Sequence, residues 1–246
     1  MKINILSPHI DDAAYCLALT ISHCVNSHIA VSIINCFTVT KWTIVYVSKD
    51  INEISLLRKK EDEEFYKCYD TPIDIINLEL HDAPLRNGYI FQYKPLEPDE
   101  WEVVAEIKNY LSKNMDGILF CPLAIGNHVD HAICREAVIQ LYSEIPVIFF
   151  EDLPYARRIT EEEIFAEIKS LEQRLNVQLI HQIEGFENCS INKEQNIRLY
   201  KTQINDEICS EVISHMNHLS GERLWGEAKL IDQLKASFTV LELYRK

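Results

Sequence analysis

Ile3-Asn4-Ile5-Leu6-Ser7-Pro8-His9-Ile10-Asp11-Asp12, close to the N-terminus, decides how the rest of the chain is read. An apolar run that ends in a Pro-containing turn reads as a buried strand entering a loop. From residue 13 to about 25, apolar residues recur at Ala14, Leu17, Ala18 and Ile21, the spacing of a helix. In open α/β sheets, loops at the carboxyl ends of strands are where ligands bind. This loop holds an imidazole and two adjacent carboxylates, which repel one another unless a cation or hydrogen-bond donors lie nearby. The competing reading is a turn in which Asp11 or Asp12 only caps the following helix.

Working outward, residues 30–37, 73–78, 118–120 and 146–150 read as further strands. Helical patterns cover 53–69 and 99–113 and run from the late 120s to about Tyr142. Strands alternating with helices predict an α/β fold, a Rossmann-like, mostly parallel sheet with helices on both faces. Residues 43–47 fit a strand or an extended loop equally. The stretch 79–98, with three prolines and a glycine, reads as a long functional loop. Beyond Thr160 a charged helix, a strand at 177–180 and a mostly helical C-terminal third are expected, with 221–226 as a loop inside it. No repeat or linker stands out, so residues 1–246 are expected to form one domain.

A second polar cluster is Gly126-Asn127-His128-Val129-Asp130-His131. Its histidines are three apart and share a face in the first turn of a helix. A similar pair, His215-Met216-Asn217-His218, lies in the polar C-terminal part with no carboxylate loop beside it and reads as surface chemistry. The pair at 128 and 131 differs in following a strand and a Pro/Gly-containing turn. If the two clusters meet, they offer two imidazoles and a carboxylate to one divalent ion. Three protein ligands with an open position is the layout of a catalytic zinc site. The same donor set also fits the facial triad of non-haem iron oxygenases. Context favours hydrolysis: the extra Asp11 suits a general base, and the oxygenases typically use β-barrels, which this alternation does not predict.

The net charge of −14, from 24 basic against 38 acidic residues, argues against nucleic acid or an anionic membrane surface as partner. No apolar stretch reaches the roughly 18 residues needed to span a bilayer, and the N-terminus lacks a signal-peptide pattern. Eight cysteines are scattered without a Cys-x-x-Cys pair, which points to a reduced cytoplasm rather than a disulfide framework.

The stretch Ser7 to Asp12 followed by an Ala-rich helix, with His128-Val129-Asp130-His131, resembles the PIG-L/LmbE family of metal-dependent N-acetyl-aminosugar deacetylases, whose motifs are (A/S)HPDD(E) and HPDH. Arg58-Lys59-Lys60-Glu61 is similar to the family's RxxE helix and His81-Asp82-Ala83 to its Asp-containing loop after the third strand. Glu151-Asp152-Leu153-Pro154-Tyr155 and Gly221-Glu222-Arg223-Leu224-Trp225 are similar to segments of a subset tied to natural-product and sugar-modifying pathways.

The resemblance implies His9, Asp12 and His131 as ligands of Zn²⁺, or of Fe²⁺ or another divalent metal. It implies Asp11 as general base and His128 as the group that stabilises the oxyanion or protonates the leaving amine, with Asp130 orienting His128. Arg58 and Asp82 match positions that grip sugar hydroxyls. Ile10 and Val129 replace the motif prolines, Ala13 the usual Glu, and Gly126 stands where some members place a tyrosine. The implied activity is removal of an N-acetyl group from an amino sugar in a soluble small-molecule glycoside, such as an aminoglycoside-type or other natural-product precursor. An N-acetylglucosaminyl thiol-cofactor precursor is the alternative substrate, and a non-catalytic sugar-binding protein the alternative class. Plainer readings compete at individual residues: Arg58 and Glu61 as a surface pair, Asp82 as a turn residue, Glu151 and Asp152 as a solvated loop, and Trp225 as core. His23, His28, His81 and His181 read as structural.

Overall fold

The computed structural model describes residues 1–88, 95–187 and 189–239. Part of the 79–98 loop therefore lies outside the described residues. The first strand, β1 (Lys2–Ser7), leads through the His9 loop into α1 (Asp12–Asn26). Then come β2 (Ala30–Asn35), α2 (Ile51–Tyr66), β3 (Asp74–Asn77), the short α3 (Ala83–Arg86), α4 (Pro98–Asn114) and β4 (Ile118–Pro122). The remainder is α5 (Val129–Ile139), β5 (Val147–Phe150), α6 (Glu161–Leu175), β6 (Ile180–Glu184), α7 (Lys193–Ile197), α8 (Asp206–Leu219), β7 (Glu222–Gly226) and α9 (Ala228–Thr239).

One sheet runs β3-β2-β1-β4-β5-β7-β6. Its first five strands are parallel, and β7 pairs antiparallel with both β5 and β6. Strands β1 and β4 are buried along almost their whole length, as expected of parallel strands with helices on both faces. The α/β reading therefore holds. The order reverses at β1, whose neighbours are β2 on one side and β4 on the other. The loops after β1 and β4 thus open on the same crevice, the position where doubly wound sheets bind ligands.

The helices form where the sequence supplies their ends. Asp50 accepts from the amides of Asn52 and Glu53 to start α2, and Thr160 and Glu163 form a reciprocal capping box at α6. Helix α1 is buried nearly throughout and departs from helical geometry at Leu17. The cause is an inserted side chain: Glu222 accepts from the amides of Leu19 (3.0 Å) and Thr20 (2.8 Å), and Lys193 neutralises it at 2.7 Å.

Two sequence expectations need correction and one open alternative is decided. Residues 221–226 hold a strand, β7, inserted between β5 and β6. The strand expected at 177–180 begins only at Ile180. The amides of Val177 and Leu179 are taken by the backbone and side chain of Glu172 at the end of α6. Residues 43–47 form an irregular segment, tied to the body by Ile44 N–H donating to the Thr202 carbonyl at 2.9 Å.

Candidate metal centre

Strand β1 ends at Ser7, whose hydroxyl donates to the His9 carbonyl and accepts from the Ala13 amide. That turn aims His9 and Asp12 into the crevice. Across it, β4 leads to His128, whose Nδ1 accepts from the Asp130 amide at 3.2 Å and so caps α5. One turn into α5, His131 points back at the first loop. The two sequence clusters meet.

Three donor atoms converge. His9 Nδ1 lies 3.0 Å from Asp12 Oδ2, His131 Nε2 lies 3.2 Å from the same oxygen, and the two nitrogens are 3.3 Å apart. An ion bonded at about 2.1 Å requires neighbouring ligand atoms roughly 3.0 Å apart in octahedral and about 3.4 Å apart in tetrahedral coordination. The triangle falls within that range.

The outer partners fit as well. His9 Nε2 faces Asp130 Oδ2 at 3.0 Å and His131 Nδ1 faces Asp152 Oδ1 at 2.6 Å. Each imidazole therefore commits one nitrogen's proton to a carboxylate and turns the other nitrogen's lone pair inward. That is how metal-ligating histidines are held in the required tautomer. The three nitrogens of His9, His128 and His131 also come within 4.8 Å of one another. Asp12 completes the tighter set, whereas His128 spends Nδ1 on the helix cap.

Electrostatics agree. Burial works against a charged His9, but Asp12 and Asp130 outweigh it and lift its pKa to about 9. His131 is likewise pushed up against its burial, by Asp12 and Asp152. Burial and the charges of His9 and His131 push His128 down. A pocket that draws protons onto two imidazoles is one where a dication can displace them.

The remaining predicted residues fall around this centre. Asp11 lines the same cavity of about 280 Å³ as His9, Asp12 and His128, and its Oδ1 accepts from Arg58 Nη2 at 3.0 Å. Burial raises the pKa of Asp11, Arg58 opposes that, and Asp12 adds to it. Arg58 and Glu61 are not a surface pair: both are buried, and Glu61 accepts from the amide and hydroxyl of Thr202. Asp82 reaches the cavity wall but also caps α3 at Leu85 and accepts from the Thr40 hydroxyl. Asp130 donates its amide to His128 Nδ1, and its carboxylate makes further contacts. It holds His9 and accepts from the Ala83 amide (3.0 Å) and Arg86 (2.7 Å), so the loop after β3 is anchored on the centre.

Glu151 and Asp152 are buried rather than solvated. The His215 reading also changes: it is 5% exposed and sits 2.9 Å from Glu151, while His218 stays at the surface.

Sequence reasoning left three residues unassigned. Asp152 stands at a strand's carboxyl end, the right rim for a site, where a solvated loop reads equally well. Tyr15, on the first turns of α1, lines the cavity with a buried hydroxyl that lacks a hydrogen-bond partner, as does the buried Arg58 Nε. Tyr155 packs against Gly126, which has φ +86°; a Cβ there would come within 2.6 Å of the Tyr155 Cβ. An aromatic ring thus forms the wall at this position, 5.6 Å from the His131 ring.

The family described as PIG-L, GlcNAc-PI de-N-acetylase, matches residues 4–142, more than half of the chain. The chain belongs to the PIG-L family. Among solved structures, a teicoplanin-pathway deacetylase is similar with a TM-score of 0.67 at 17% identity, covering 92% of this chain and 97% of that one. The A40926 pseudoaglycone deacetylase gives 0.63 at 18%, covering 91% and 96%. An N,N′-diacetylchitobiose deacetylase from Pyrococcus horikoshii gives 0.56 at 16%, covering 92% and 82%. At these identities the likeness is one of fold. No curated protein sequence matches the chain. The PIG-L match ends before Asp152 and Tyr155, so their part in the centre is visible only in three dimensions.

Proposed function

We propose that this PIG-L chain is a metal-dependent hydrolase that removes the N-acetyl group from an amino sugar in a small-molecule glycoside, an N-acetylated aminoglycoside or other natural-product precursor. The observation that carries the reading is the triangle of His9 Nδ1, Asp12 Oδ2 and His131 Nε2, with 3.0 to 3.3 Å edges, at the base of an open cavity. Residues 1–246 act as one catalytic domain in this reading. Zn²⁺ is the first candidate for the ion, and Fe²⁺ or another divalent metal suits the same donors.

A divalent ion held there supplies Lewis acidity toward a carbonyl and a lowered pKa for water. Asp130 and Asp152 keep His9 and His131 in the ligating tautomer. Asp11, aligned by Arg58, accepts the proton of the attacking water. His128, with Nδ1 occupied by the helix cap, presents Nε2–H to the developing oxyanion, and the proton held by Asp11 passes to the departing nitrogen; preorganised donors of this kind contribute strongly. Tyr15 and the Arg58 Nε offer unsatisfied donors to substrate oxygens, and Asp82 borders the same space. Trp42 (48% exposed), Ile44 and Ile208 line the cavity too, an apolar surface suited to a sugar ring or aglycone.

No helix among the described residues is long and apolar enough to cross a membrane. All eight cysteines are free, which supports a cytoplasmic setting.

The deciding experiment measures acetate and free amine released from N-acetyl amino-sugar glycosides with and without chelator. Asp11→Asn should keep its metal while turnover falls on the order of 10²-fold or more. Near-normal turnover in that variant removes Asp11 as the base. Metal-dependent oxygen uptake without acetate would replace the hydrolase reading with the oxygenase one.

A further inference from the structure

A second set of reactive side chains converges away from the metal centre. His23, in the last turn of α1, lies with Nδ1 3.0 Å from Glu184 Oε2 and Nε2 2.7 Å from the Glu187 carbonyl. The same Nε2 is 3.4 Å from Cys189 Sγ. A carboxylate and a carbonyl only accept hydrogen bonds, so both ring nitrogens must carry protons and the ring is an imidazolium. Burial works against that charge, but the contacts with Cys189 and Glu184 outweigh it and raise the His23 pKa to about 10. The sulfur thus lies beside a cation, and a sulfur, an imidazole and an orienting carboxylate in series is the geometry of an activated nucleophile.

A separate observation marks the space at His23 and Glu184, beside the sulfur, as open to a ligand. Glu184 is 5% exposed, and its Oε1 has no hydrogen-bond partner. Together with His23, Phe186 and Phe238 it lines a cavity of about 560 Å³. A buried acceptor without a donor calls for one from outside the chain.

We propose that Cys189 is the reactive thiol of this chain and a site of S-thiolation by low-molecular-weight disulfides whose hydrogen-bond-donating arm reaches Glu184 Oε1. The Cys189 thiolate attacks one sulfur of the reagent and a new S–S bond forms. The reagent's own S–S bond breaks, its electron pair leaves on the departing thiolate, and that thiolate takes a proton from water. Cys189 is oxidised and half of the reagent is reduced, so no further oxidant is required.

The chain carries its own control. Cys68 is exposed, whereas Cys189 is only half-buried. Cys68 Sγ contacts the Glu64 carbonyl at 3.7 Å, and among the described residues no imidazole bonds to it. Exposure alone ranks Cys68 first; activation ranks Cys189 first.

The test incubates the intact protein with excess bis(2-hydroxyethyl) disulfide, quenches with acid and maps each cysteine by peptide mass spectrometry. Cys189 should be modified about tenfold faster than Cys68 or more, because the imidazole–carboxylate pair beside its sulfur activates it as a nucleophile. His23→Gln should bring the Cys189 rate down to that of Cys68 or below and leave Cys68 unchanged. Glu184→Gln, which keeps an acceptor for Nδ1 but removes the charge, should give an intermediate fall, and it stands in if the His23 variant does not fold. Modification of Cys68 first, or a Cys189 rate indifferent to both substitutions, overturns the proposal and leaves His23 as a strut between α1 and the 184–189 segment.

Discussion

The chain carries two His-x-x-His pairs, and their structural outcomes differ. At 128 and 131 the histidines stand at the start of α5, where the loop after β1 brings Asp12 to within 3.2 Å of His131 Nε2. At 215 and 218 they lie on α8, and only His215 turns inward, to Glu151. That second cluster is saturated: Glu151 also accepts from Arg223 Nε at 2.5 Å and Trp225 Nε1 at 3.0 Å, and Arg223 reaches Glu161 twice. Both Glu151 oxygens already have donors there, and burial seals that carboxylate. In the first cluster Asp11, Asp12, Asp130 and Asp152 surround the imidazoles, an arrangement that leaves inward lone pairs and an open cavity. Identical spacing in sequence thus yields a candidate cation site in one place and a structural knot in the other. The difference lies in which carboxylates surround each pair and whether those carboxylates are already satisfied.

The sharpest way to break this contrast is to remove one side chain from each cluster. Asp12→Ala should lose its metal and, with it, activity by on the order of 10³-fold or more. His215→Gln should hold metal at wild-type stoichiometry. Metal analysis after dialysis checks both, and retention of metal by the Asp12 variant would end the three-ligand assignment. A step smaller, Asp152→Asn should weaken metal affinity about 10- to 100-fold, because the His131 tautomer is no longer fixed by a charge. A competitive chelator titration reads that directly.

The sequence revealed one cluster and hid the other for a physical reason. Strands β1 and β4 are covered on both faces, so they read as unbroken apolar runs and the polar loops after them stand out. Strand β7 reads Glu222-Arg223-Leu224-Trp225-Gly226, and a pattern rule treats its charges as solvent-facing. All five of its residues are buried, because Glu222 caps a break in α1 and is paired with Lys193, while Arg223 is shared by Glu151 and Glu161. Buried charges are tolerated once paired, and those partners lie 29 to 203 positions away in sequence. Asp152 was hidden in the same manner, since its meaning depends on β5 lying beside β4. Tyr15 was hidden because a tyrosine on the buried face of a helix looks like core.

The saturated cluster predicts a cost in stability with no cost in metal. Glu151→Gln keeps an acceptor but removes the charge opposite Arg223 and should lower stability by about 1–3 kcal/mol, less than a full buried pair because Glu161 remains. Burial raises the Glu151 pKa, but His215 and Arg223 outweigh this and hold it below the ordinary carboxylate value. The folded state therefore binds fewer protons on this group than the unfolded state does. Its contribution is present above the ordinary carboxylate pKa and fades as pH falls through the depressed folded value. Urea unfolding at pH 7 and in mild acid should show the gap between wild type and the Gln variant narrowing with acid. A gap that widens in acid contradicts the pairing.

The smallest expected effect is at Tyr15, and it separates a ligand-facing group from a core group. Its hydroxyl is buried at the cavity wall without a partner, while its ring packs edge-on against Tyr200 with centroids 5.9 Å apart. An unsatisfied buried hydroxyl costs about 1–3 kcal/mol in the folded protein, whereas a hydrogen bond completed by substrate contributes about 0.5–1.5 kcal/mol. Tyr15→Phe keeps the ring contact and removes only the oxygen. It should hold or raise the melting temperature, raise KM several-fold and leave kcat within a factor of about two. A lower melting temperature with an unchanged KM would mean that the hydroxyl serves the core, and the cavity would then recognise its substrate without it.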